Sequence, residues 1–97
     1  MEKTVRILEQ GELSTRKYND RRTGEEREIK SVTFKLTDGI DSFYAEMTGD
    51  KAANCPKYDK TYTYRVQCTM TAREWTAAST GERQTSTTIY LERIVVA

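Results

Sequence analysis

Apolar side chains recur at every second position over most of the chain, the period of a strand with one buried face. Val5 and Ile7 alternate with polar neighbours before Gly11 interrupts ahead of Leu13, which predicts a first strand bent by a bulge or a glycine kink. From Ile29 to Thr37, Val32, Phe34 and Leu36 fall on one face and Thr33 and Lys35 on the other. Asp38-Gly39 is a two-residue hairpin signal, leading into a third strand in which Phe43, Ala45 and Met47 share a face opposite Ser42, Tyr44 and Glu46. The alternation stops between Gly49 and Lys60, where Asp50–Cys55 has room for one or two helical turns before Pro56 ends them. In the fourth strand Tyr62, Tyr64, Val66, Cys68 and Met70 point one way, and the opposite, polar face continues to Arg73 and Trp75. Thr76–Gln84, with Ser79-Thr80-Gly81, reads as a hairpin loop, and a last strand runs through Ile89, Leu91, Ile94 and Val96. No internal repeat stands out.

These elements predict an all-β chain forming a single domain over residues 1–97, with five strands and a short helix or loop between the third and fourth. That is the element order of the OB-fold, a partly open barrel whose second and third strands and two flanking loops bind oligonucleotides or sugars. Fifteen threonines suit such half-exposed strands.

Composition narrows the chemistry. With 97 residues, 36% of them hydrophobic, a second core is not available. No apolar run approaches the roughly 20 residues of a membrane helix, and Met1–Arg6 lacks the apolar stretch of a signal peptide, so a cytoplasmic protein with no membrane partner is expected. The absence of histidine removes the commonest general base and the Ser-His and Cys-His pairs, which points away from an enzyme. No cofactor or metal is called for. Asp38, Asp41 and Glu46 lack the order of a calcium loop and read as solvated hairpin charge. Cys55 and Cys68, without CxxC spacing, read as small buried or partly buried side chains.

The net charge of +1 is too small to attract a polyanion from a distance, so the placement of charge matters more than its sum. Residues 14–36 hold Arg16, Lys17, Arg21, Arg22, Arg27, Lys30 and Lys35 against four acids, whereas residues 37–59 hold five acids against Lys51 and Lys57. From residue 60 onward the cations again outnumber the acids. On an OB-fold the two basic stretches fall on the loops flanking the ligand face, a long one between the first two strands and the last hairpin loop. The tips of the two are expected to converge on a shared groove.

The run Ser31-Val32-Thr33-Phe34-Lys35-Leu36, the stretch Phe43-Tyr44-Ala45-Glu46-Met47-Thr48-Gly49-Asp50-Lys51-Ala52, and a fourth strand ending Arg73-Glu74-Trp75 resemble small bacterial and phage OB-fold proteins related to single-stranded-DNA-binding protein. The resemblance implies binding of single-stranded DNA, or of RNA, through stacking and backbone contacts in replication, recombination or mobile-element maintenance. Members of that family add an acidic C-terminal tail that recruits partners; here the sequence ends at Arg93-Ile94-Val95-Val96-Ala97, so recruitment of that kind is not expected.

Single-strand binding needs flat side chains for bases and cations for phosphates. The stacking candidates are Tyr18, Tyr44 and Trp75; the phosphate candidates are Arg16, Lys17, Arg21, Arg22, Lys35, Arg73 and Arg83. Each has a structural alternative. Trp75 could staple its hairpin, Tyr44 could be a cross-strand packing residue, and Arg21 or Arg22 is expected to pair with Asp20, Glu25 or Glu26. Tyr62 and Tyr64 are expected in the core. The competing function is an OB-fold module that binds protein or assembles with itself, since small barrels leave sheet edges open to a second copy, as a homodimer or larger homo-oligomer.

Overall fold

The first strand, β1 (Glu2–Gln10), pairs along both of its edges. A computed structural model describes all 97 residues and shows five further strands and one short helix: β2 (Ser14–Asn19), β3 (Glu26–Thr37), β4 (Ser42–Thr48), α1 (Asp50–Ala53), β5 (Thr63–Thr76) and β6 (Arg83–Val96). The start of β1 pairs antiparallel with β5, from Glu2 opposite Gln67 to Arg6 opposite Thr63. Its end pairs antiparallel with β3, from Arg6 opposite Thr37 to Gln10 opposite Phe34. β3 pairs with β4, β4 runs parallel to β6 at Glu46 and Tyr90, and β6 pairs with β5. Five strands thus form a ring, β1-β3-β4-β6-β5 and back to β1. No helix is long and apolar enough to cross a membrane.

The twelve buried residues all lie in one cluster inside this ring: Val5, Ile7, Val32, Phe34, Leu36, Ala45, Met47, Ala52, Tyr64, Val66, Cys68 and Leu91. They are the alternate positions read from the sequence, with α1 contributing Ala52 at one end. Two bulges keep that alternation pointing inward as the strands bend. One falls between Ile7 and Glu9. The other leaves Glu92 without a partner on β5, because Gln67 faces Arg93 while Cys68 faces Leu91, so Leu91 and Ile94 both turn toward the core.

The segment between α1 and β5 is tied to the ring by the side chains of Gln10 and Tyr64. The Gln10 amide donates to the Pro56 carbonyl at 2.9 Å, and its oxygen accepts from the Tyr58 backbone N–H at 2.9 Å. Tyr58 then packs against Phe34 and Tyr64, with ring centroids 6.1 and 5.5 Å apart. The Tyr64 hydroxyl donates to the Asp59 carbonyl at 2.8 Å, so this buried phenol is satisfied. Both cysteines are unbridged, Cys68 buried and Cys55 half-buried.

Four expectations are corrected. The stretch read as a long first loop contains β2, which forms a hairpin with β3 and makes six strands rather than five. Gly11 marks the break between β1 and β2: its N–H donates to the Thr33 carbonyl at 2.8 Å, and a Cβ there would sit 3.0 Å from that same oxygen. The turn at Asp38-Gly39 spans four residues, because Asp38 accepts from the backbone N–H groups of Ile40 and Asp41, and Thr37 donates to the Asp41 carbonyl. Tyr62 is exposed in the turn before β5, and Met70 is exposed because β1 begins level with Cys68 and gives the rest of β5 nothing to pack under. The two hairpin tips also share a turn, a motif too short to be an internal repeat. The turns at Asp20–Glu25 and Ala77–Glu82 share Thr-Gly-Glu, a glycine with φ near 70°, and the same backbone hydrogen bonds.

Gln10→Ala leaves the half-buried Tyr58 N–H without its acceptor, and a loss of about 1–3 kcal/mol is expected in urea unfolding. An unchanged midpoint would mean the linker holds without it. Asp38 supplies a pH test. The N–H groups of Asp41 and Ile40, and then the Lys3 ammonium 3.1 Å away, lower its pKa from 3.8 to about 2. A depressed carboxylate stabilises the fold above its unfolded value and loses that contribution as pH falls through the folded one. The stability gap between the parent and Asp38→Asn should therefore close between about pH 4 and pH 2, and a constant gap over that range would contradict this.

Candidate functional site

Because alternation puts one set of side chains inside the ring, the other set forms a continuous outer face across β2, β3, β4, β6 and β5. At its centre Lys35 on β3 stands opposite Tyr44 on β4, with the ammonium 5.8 Å from the ring centroid. Two residues along, Glu46 stands opposite Thr33 on one side and Tyr90 on the other, and Tyr90 opposite Thr69. Tyr44 is 61% exposed, too open for a packing residue.

The face extends onto two hairpin arms. On β5, beyond the ring, Arg73 and Trp75 point outward, with the guanidinium carbon 5.7 Å from the indole centroid and the indole 45% exposed. On the β2–β3 arm the same parity puts Arg16, Tyr18 and Arg27 outward, since Arg16 faces Ile29 and Tyr18 faces Arg27. Tyr18, Tyr44, Tyr90 and Trp75 share this face with Arg16, Arg27, Lys35 and Arg73 and, further along β5 and β6, with Arg65 and Arg93; its carboxylates are Glu46 and, at the bulge, Glu92, which accepts from the Thr69 hydroxyl at 3.0 Å. Glu26, Glu28 and Glu74 occupy the opposite parity, and the remaining acids of the arms, Asp20, Glu25 and Glu82, sit at the tips. Cation–π contacts at exposed positions are worth about 0.5–1 kcal/mol, so Lys35 and Arg73 can exchange a ring for a phosphate at small cost.

The ten candidate residues do not all meet there. Arg16, Lys17 and Tyr18 lie on a strand, not in a loop; Lys17 points to the other face and reaches Glu26 at 3.8 Å. Arg83 pairs with Glu74 on the face opposite Trp75. Arg21 and Arg22 sit at the first arm's tip with no ion pair, contrary to expectation, because Arg27 takes the acids: its Nε is 3.1 Å from Asp20 and its terminal nitrogen 4.0 Å from Glu25. Lys35 with Tyr44, and Arg73 with Trp75, are the two ring-and-cation pairs of the site.

The arms also run in opposite directions. β3 continues past the Thr48 end of β4 toward its tip, whereas β6 begins beyond the Ser42 end. Gln84, beside Trp75, is four residues from Thr88 at the level of Tyr44, about 13 Å; Arg27, beside Tyr18, is eight residues from Lys35, about 26 Å. The tips therefore do not converge on one groove. They bracket a track whose length accounts for most of the molecule's 43 Å extent.

Tyr90 is a further member of the face that no motif in the sequence marks; its place between Ile89 and Leu91 turns it outward. Tyr58 is half-buried and packs against the core. Comparisons of the chain with protein-family models, with curated proteins and with solved structures find no match.

Trp75 is the sole tryptophan, so its emission reports directly on this arm. Acrylamide should quench it freely, and Trp75→Ala should change unfolding stability by less than about 1 kcal/mol, as for a surface position. A loss above about 3 kcal/mol would identify the indole as a packing residue instead.

Proposed function

We propose that the five-stranded ring is an OB-fold and that the protein is a non-enzymatic binder of single-stranded nucleic acid, with single-stranded DNA as the expected ligand. The observation that carries this reading is the sorting of side chains by strand parity. Tyr18 and Trp75 lie on one face of the arms with Arg16, Arg27 and Arg73, while Glu26, Glu28 and Glu74 lie on the other, where Lys17, Lys30 and Arg83 accompany them. Bases stack on Tyr44 and Trp75, with Tyr18 and Tyr90 as further platforms, while Arg16, Lys35 and Arg73 meet phosphates. Arg21 and Arg22, unpaired at the tip, extend the cationic line.

An OB-fold agrees with the ring order, with the helix after the ring's third strand, and with arms standing where the fold has its two binding loops. Backbone contacts and stacking are indifferent to sequence, which suits a protein that covers or presents exposed strands during replication, recombination or mobile-element maintenance. With a net charge of +1, association gains little from long-range attraction and depends on these local contacts.

A second reading, assembly with another copy, is favoured by β2, whose six residues are all exposed and whose outer edge has no neighbour. The two readings part in one titration.

Addition of oligo-dT should quench Trp75 emission, with an affinity that falls as salt rises by a log–log slope of about 0.7 per phosphate neutralised. Followed by the anisotropy of a labelled strand, which does not need the indole, Tyr44→Ala and Trp75→Ala should each weaken binding by about 1–3 kcal/mol. Arg73→Ala should lower both affinity and slope, while Arg83→Ala, already paired with Glu74 on the far face, should do less. Absence of binding at low salt, together with a concentration-dependent increase in mass, would establish the assembly reading in its place.

A further inference from the structure

We infer that Glu46 makes the outer face selective among bases, favouring guanine and disfavouring thymine and uracil; this rests on the binding mode proposed above. Of the two carboxylates on this face, Glu92 is bound by Thr69 and Lys51, and Glu46 alone has no partner. It sits in the middle of the face rather than at its rim, half-buried, between Thr33 and Tyr90 in register and two residues from Tyr44. It makes no ion pair or hydrogen bond with the protein: Lys35 lies over the Tyr44 ring, and Lys51 is held by Glu92 at 3.2 Å. With Thr33, Tyr44 and Thr88 it lines a shallow depression of about 150 Å³.

An unpaired carboxylate amid cations works against a face that only collects phosphates. It becomes favourable when it meets a hydrogen-bond donor, and the donors of a single strand are on base edges. An ionised carboxylate only accepts hydrogen bonds, and charge-assisted bonds are the strong ones. Unpaired strands expose their Watson–Crick edges to protein. Guanine presents two adjacent donors there, N1–H and the 2-amino group, matching the two carboxylate oxygens. Cytosine and adenine present one amino group beside an acceptor nitrogen. Thymine and uracil present one N–H between two carbonyl oxygens, which a carboxylate repels. A base stacked on Tyr44 would bring this edge toward Glu46, two residues further along the same face.

The test uses the full chain and labelled strands of about 12 nucleotides, within the range an OB-fold covers. One strand is all dT, one alternates dG with dT, and one alternates dC with dT; anisotropy measures each affinity. The unaltered protein should bind the dG-containing strand about tenfold more tightly than dT, with dC between them. Glu46→Gln, whose amide can also donate to thymine carbonyls, should bind dT more tightly and bring that ratio to about twofold or less. Glu46→Ala should remove the guanine preference as well, and circular dichroism checks that both variants keep the fold. Equal affinities for all three strands, or variants that strengthen every strand equally, would show Glu46 to be a solvated charge and overturn the selectivity while the binding stands. Failure of every strand to bind at low salt would overturn the binding mode itself.

Discussion

One strand pairing along both of its edges closes this molecule. β1 gives its first residues to β5 and its last to β3, with Arg6 in register with both Thr63 and Thr37. A closed ring fixes which side chains are inside. With β3 held in place, a slip of one residue would turn Ala45 and Met47 of β4 to solvent and bring Tyr44 and Glu46 into the core. Gly11 protects this closure, since the chain can leave the ring toward β2 only by passing close against the Thr33 carbonyl.

The same parity governs the arms, where there is no core to enforce it. Beyond the ring neither face of a two-stranded ribbon is buried, and exposed ion pairs such as Arg83–Glu74 or Lys17–Glu26 contribute about 0–1 kcal/mol. Folding stability therefore offers little reason for Arg73 to share a face with Trp75 while Glu74 takes the other. A ligand does offer one: a polyanion with planar bases gains from rings and cations together and loses from every carboxylate beside them.

Most of the core was legible in the sequence, because Val5 and Ile7, Val32 to Leu36, Ala45 and Met47, and Tyr64 to Cys68 alternate strictly, and closure demands that alternation. The three-residue step from Leu91 to Ile94 even marked the bulge at Glu92. β2 was missed because Ser14–Asn19 buries nothing, so it has no apolar rhythm to read. Its signal lay in chemistry instead, since Thr23-Gly24-Glu25 repeats the Thr80-Gly81-Glu82 of the other hairpin tip. Met70 and Tyr62 misled for the converse reason: both keep the inward parity, but one lies past the ring and the other before the strand begins. Of the candidate site, the outward placement of Lys35, Tyr44, Arg73 and Trp75 followed from alternation. The pairings of Lys17, Arg27 and Arg83 did not, because they depend on diagonal neighbours that only strand register supplies.

Register also separates the two arms, and the separation bears on the kind of ligand the face suits. A small molecule needs its contacts gathered in one cavity, and rings about 13 and 26 Å from the centre of the face could not reach it together. A linear polymer needs the opposite arrangement, with equivalent contacts laid out along a line, each adding a modest increment. Trp75 with Arg73 at one end, Tyr44 with Lys35 at the centre, and Tyr18 with Arg16 at the other end form such a line, a ring beside a cation at each station. Loss of one station would then weaken binding without abolishing it, as expected for a flexible chain held at several points.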